Sequence, residues 1–175
     1  SYDIWDDRRY AAEVLATILG GGMSSRLFGL LRDKMGAAYY VRTATDESSD
    51  TGSLATSAGI DNRRAEEIIA AILDEYRKIK NIKVSEDELN KAKEHMEGSL
   101  TLSIETSDEL AGFYCFQEIL KNEIFEPEEL IKKIKTVTAD DILEVARDIF
   151  RPEKLNLAMV GPFRDSERFA NLLKT

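Results

Sequence analysis

A single histidine and a single cysteine set the first limits on this chain of 175 residues. Cys115 has no second thiol to pair with, and its neighbours Phe113, Tyr114 and Phe116 give it the surroundings of a buried structural thiol. Basic residues are also short: 24 Lys and Arg against 33 Asp and Glu leave a net charge of −9 and a pI near 4.8. Phosphate recognition needs a clustered basic face, and none is found, which argues against nucleic acid and anionic membrane surfaces as partners. No apolar run approaches the roughly 20 residues of a membrane span, and no basic-then-apolar leader opens the chain. The expectation is a soluble protein, cytoplasmic placement being favoured although the residues themselves do not encode a compartment. Neither repeats of solenoid length nor a low-complexity linker occur, so residues 1–175 are read as one domain, with 43% hydrophobic residues to supply its core.

Helical periodicity is plentiful. Tyr10, Val14, Leu15, Ile18 and Leu19 share one face of a first helix that Asp6 or Asp7 can cap. Ala65, Ile68, Ile69, Ile72, Leu73, Tyr76 and Ile79 form the stripe of a second long helix begun at Asp61, whose charged outer residues Arg63, Glu66, Glu67 and Lys78 read as solvated. Ser85 with Glu88, and Thr106 with Glu109, have capping-box spacing; Thr138 opens a further helix and Pro127 suits a helix start. Between the first two helices, residues 38–45 and 52–60 alternate around a polar turn and predict a hairpin. In its second strand Ser53, Ala55, Ser57 and Gly59 make an unusually small face, suited to close helix packing or to an extended ligand, with packing preferred. LNLAMVG, residues 155–161, predicts a late third strand. The fold class is therefore α+β, a small mainly antiparallel sheet with a helical layer on one face.

The chain is organised around residues 19–45. Gly20, Gly21 and Gly22 end the first helix, where glycine permits a left-handed cap and close backbone approach; Ser24 or Ser25 can cap a short helix; Gly36 ends it. Arg32 and Tyr39 then flank a single turn. The pattern lacks the Gly-Lys-Ser/Thr ending of a phosphate loop, so nucleotide binding is not expected.

LGGGMSSRLF followed by LRDKMGAAYYV, and a late VGPF, resembles the C-terminal, non-zinc-binding half-domain of the zinc metallopeptidases that include mitochondrial processing peptidase, pitrilysin and insulin-degrading enzyme. The resemblance covers most of the chain. Such half-domains begin with a strand that this sequence lacks, which implies an unpaired sheet edge open to self-association or to an extended peptide. The family relies on zinc held by an inverted His-x-x-Glu-His motif with a downstream Glu. Here the nearest imitation, KAKEH, puts Lys91 at the first ligand position, and His95, Glu94 and Cys115 cannot supply the three or four donors that zinc requires. No cofactor is expected in this chain, and zinc is expected on the missing half.

The resemblance implies a substrate-contacting, zinc-free half of a metalloendopeptidase, inactive alone, whose partners are a zinc-bearing N-terminal half or subunit and an unfolded peptide. It assigns Arg32 and Tyr39 to substrate and transition-state contacts made in trans, and gives Gly20, Gly21 and Gly22 a role in binding extended peptide, their plain alternative being a helix cap and tight crossing. Tyr40, on the other strand face, is expected in core or interface. A catalytically silent scaffold or partner-binding subunit of the same family is the competing reading.

Overall fold

The computed structural model describes residues 1–121, 124–165 and 167–174. Its centre is helix α1 (Arg9–Gly20), nearly all of which is buried, including every apolar residue of the predicted stripe. Val14, Leu15 and Leu19 are fully enclosed, each worth about 1.5–3 kcal/mol of apolar transfer. No side chain caps the helix at Arg8; Asp6 accepts the Arg8 amide just ahead of it, at 2.9 Å. A π-helix (Phe28–Lys34) follows, then strands β1 (Ala38–Glu47) and β2 (Gly52–Ile60), which pair antiparallel. The helices α2 (Ala65–Ile79), α3 (Glu86–Ser103), α4 (Ser107–Lys121), α5 (Pro127–Thr136), α6 (Ala139–Ile149) and α7 (Glu167–Leu172) complete the order.

The layers follow from side-chain alternation. Val41 and Thr43 of β1 are buried against α1, while Thr56 of β2 accepts a 2.6 Å hydrogen bond from the Tyr76 hydroxyl of α2, so the helices cover one face of the hairpin. On its other flank α1 packs on α3, α5 and α6. Tyr76 stacks on Phe150 with ring centroids 4.0 Å apart, joining α2 to the end of α6. The hairpin's small face is open: Ser53, Ala55 and Ser57 are exposed, as are Tyr40 and Arg42 on the paired strand. Among the described residues no helix packs on that face, contrary to the preferred expectation. Tyr40 accordingly lies outside the core, its ring laid across Gly59.

Two further expectations fail. Among the described residues the sheet has two strands; residues 155–160 take no regular structure and join no ladder. Its Leu155 and Met159, with Phe163, pack instead on a satellite cluster of Ala65, Ile69, Leu73 and Phe169, which holds the segment beside α2. Cys115 is exposed, because α4 packs little on the body of the fold and turns Gln117 inward to bond the Phe125 backbone in both directions.

Candidate functional site

Arg32 and Tyr39 stand on two irregular elements in succession. Buried Leu27 and Leu31 anchor the π-helix from inside, leaving Arg32 exposed with its guanidinium carbon 5.0 Å from the Phe28 ring centre. The helix closes on Gly36, at φ 56°, with the Met35 amide donating to the Leu30 carbonyl and the Ala37 amide to that of Leu31. This is a left-handed glycine cap opened by one residue, as the wider π winding demands. Arg64 fastens the turn from behind: it donates to the Met35 carbonyl at 2.9 Å while holding Glu67 through two 2.8 Å bonds. Ala38 pairs with Ile60 and Tyr40 with Gly59, so Tyr39 is the extra residue of a β-bulge. It is 84% exposed, and its hydroxyl has no partner among the described residues. π-Segments and bulges both recur where a side chain must be aimed.

The three glycines occupy a different place. Thr43, against Gly20, lies four residues along β1 from Tyr39, about 13 Å at strand rise. Positive φ, expected at the helix-ending glycine, falls at Gly36; Gly21 keeps right-handed geometry. Close approach is the requirement instead. A Cβ on Gly20 would sit 2.5 Å from the Thr43 backbone nitrogen, one on Gly21 2.7 Å from Thr17 Cα, and one on Gly22 3.3 Å from the His95 ring. His95 Nε2–H donates to the Gly21 carbonyl at 3.1 Å, tying the turn to α3.

A second tie is a two-pronged ion pair, Arg26 Nε and Nη2 to Glu88 at 2.6 and 2.7 Å. Glu88 is thereby diverted from the capping box its spacing suggests: Ser85 still accepts the Glu88 amide, but the Glu88 carboxylate reaches the glycine turn. That pair, with Glu88 first among its causes, holds the Arg26 guanidinium above its ordinary pKa. Neither predicted serine caps the helix: Ser25 is buried and its hydroxyl is left without a partner. Sequence spacing gave no sign of the Arg26–Glu88 contact, which joins residues 62 apart. Thr17, Gly22, Ser24, Ser25, Lys91 and His95 line a cleft of about 380 Å³ beneath the turn, and a second of about 320 Å³ runs past His95 to Arg42–Thr45.

Zinc does not fit here. His95 already bonds a backbone carbonyl, Lys91 would present an ammonium, and among the described residues no three His, Cys, Asp or Glu side chains gather as ligands. Likewise, among the described residues no helix is long and apolar enough to cross a membrane.

The α+β fold thus presents a glycine turn, a π-helix and a bulged strand, and among the described residues no cluster of metal ligands. A profile described as the peptidase M16 inactive domain matches residues 2–96, and the chain belongs to this family. It is 34% identical over 93% of its length to an uncharacterized zinc protease of Streptomyces coelicolor, and 29% identical over 91% to one of Bacillus subtilis. It spans 35% and 39% of those two proteins. Among solved structures, a peptidase M16 inactive domain from Pseudomonas fluorescens superposes with a TM-score of 0.74 over 84% of this chain and 35% of that one, at 19% identity. A conserved protein of Enterococcus faecalis gives 0.73 over 84% and 34%, at 25% identity.

Proposed function

We propose that residues 1–175 form one half-domain, the substrate-contacting, zinc-free half of a zinc-dependent metalloendopeptidase, closing over an unfolded peptide held by a zinc-bearing half on the same chain or on a partner subunit. The observation that carries this reading is the exposure of Arg32 and Tyr39 on elements fastened from behind by Arg64 and Gly36. A scaffold has no need of an unpartnered tyrosine hydroxyl on a bulge. In this role Tyr39 donates to the oxygen that gains charge as the peptide carbonyl is attacked, and Arg32 grips a substrate carbonyl or carboxylate with its planar pair of donors. The open hairpin face, with its small side chains, gives an extended peptide room beside them.

The test needs the complete two-half enzyme. Tyr39→Phe keeps the ring and removes the donor, so kcat falls by roughly 10²–10³ with little change in KM. Arg32→Lys also loses activity, since an ammonium lacks the planar two-donor grip. Tyr40→Phe, which alters only a hydroxyl on the open face, leaves turnover within about twofold. Full turnover in Tyr39→Phe and Arg32→Lys, with folding and zinc content intact, would assign the chain to the silent, partner-binding members of the family.

A further inference from the structure

Helix α4 is apolar on two sides and covered on one. Its inner side is fixed: Gln117 is buried and bonds the Phe125 backbone in both directions, the Tyr114 hydroxyl donates to Glu126, and Leu110 and Phe113 are half-buried. The outer side carries Gly112, Cys115, Phe116 and Ile119 at the i, i+3, i+4 and i+7 spacing of one helix face, with Leu120 beside them. All five are exposed, Phe116 at 57% and Ile119 at 74%. Apolar side chains exposed singly are ordinary, but a contiguous stripe of more than two turns, on a helix that packs little on the body of the fold, is characteristic of an interface. Leu102 and Ile124, just before and just after the helix, are exposed as well.

The charge around the stripe is of one sign. Residues 104–129 hold eight acids against one base, Lys121. Asp108 lies one turn before Gly112 and Glu118 one turn after Cys115; neither these two nor Glu105 and Glu128 form an ion pair among the described residues. Elsewhere Asp61, Glu67, Asp74 and Asp148 all have a cationic partner. An acidic border repels a second copy of this acidic chain and an anionic lipid surface alike, and attracts a basic partner. The stripe follows the helix axis, and the open space above Gly112 leaves a notch for a ridge of a facing helix. We propose that the outer face of α4 docks a basic amphipathic helix of a partner protein, its apolar side on Cys115, Phe116 and Ile119 and its lysines or arginines on Asp108 and Glu118. This surface is built on different elements from Arg32 and Tyr39 and does not depend on their role.

The test uses the 175-residue chain and three N-acetylated, C-amidated peptides of about five helical turns. One has leucines on one face and lysines on the other, the second has glutamate for each lysine, and the third is the lysine peptide in scrambled order. The lysine helix shifts the amide resonances of Gly112, Cys115 and Ile119 saturably and slows the reaction of Cys115 with a thiol reagent at least about fivefold, while the other two peptides bind at least about tenfold more weakly. Phe116→Gln and Ile119→Gln each weaken the lysine helix about tenfold, and Glu118→Lys weakens it while strengthening the glutamate helix. These side chains are exposed, so the variants keep the fold. Ile82→Gln, at a similarly exposed isoleucine outside α4, leaves binding unchanged. Equal binding of the glutamate or the scrambled peptide, shifts confined to other elements, or no binding by any of the three would overturn the proposal. So would self-association of the chain that Ile119→Gln abolishes, since a second copy would then cover the face.

Discussion

Gly20→Ala tests the seam between α1 and β1 on which the glycine turn depends. In a helix end, alanine is favoured over glycine by up to about 1 kcal/mol. Against that, the added Cβ lies 2.4 Å from Thr43 Oγ1 and 2.5 Å from the Thr43 backbone nitrogen. The hydroxyl can rotate; the backbone cannot. The helix and strand must separate by roughly 1 Å, which forfeits a quarter to a half of each dispersion contact along the seam. Overpacking of this kind costs about 1–3 kcal/mol, and the backbone clash puts it in the upper half of that range. The net loss is about 1–2 kcal/mol, or about 2–8 °C in Tm for a chain of this size. Gly98→Ala is the matched control, because nothing lies within 4 Å of its added Cβ in α3. It gains about 0.5–1 kcal/mol. Urea and thermal denaturation of both variants decide the matter: a Gly20→Ala chain as stable as Gly98→Ala would refute the claim that close approach to Thr43 is why position 20 is glycine.

Cys115 is exposed, so a thiol-specific chromogenic reagent reacts with the native chain within a few fold of its rate with the urea-unfolded chain; protection by a hundredfold would restore the buried thiol. A small loss of stability in acid follows from carboxyls held low at the surface. Asp61 is brought to about 2 by its hydrogen bonds from Arg63, and Glu67 is lowered by those from Arg64. Burial raises Asp148, but bonds from Lys154 and Tyr2 outweigh it and leave it low. Their folded pKa values lie below the unfolded ones, so this stability is fully present above about pH 5 and is lost as pH falls toward 2. Tm should be flat from neutrality to that point and then fall; a rise on acidification would contradict these pairings.

Local rules were legible and distant ones were not. Thr106 with Glu109 and Thr138 with Asp141 cap their helices through both bonds of the box, since every atom involved lies within one turn. Ser85 and Glu88 have the same spacing, but a guanidinium brought up from Arg26 outbids a single amide for the carboxylate, and no spacing rule can foresee a cation 62 residues away. Alternation in LNLAMVG marks an extended segment; whether it becomes a strand depends on a neighbour, and here the segment lies against α2 and α7. Aromatic neighbours around Cys115 bury it only if another element covers α4, which the local sequence cannot specify. The positions of Arg32, Tyr39 and the glycines were readable from one short motif. That the glycine turn meets the middle of β1, at Thr43, four residues beyond Tyr39, was not, because it depends on where α1 crosses the strand.

Tyr39 is the residue that the ladder does not count. With Ala38 matched to Ile60 and Tyr40 to Gly59, every other cross-strand partnership is defined without it. Its side chain can therefore change with little penalty to the hairpin, and even its deletion would leave a regular two-stranded ribbon. Selection at that position is free of the demands that folding makes on its neighbours. A lineage could lose or regain the protruding hydroxyl in a single step while keeping the same half-domain.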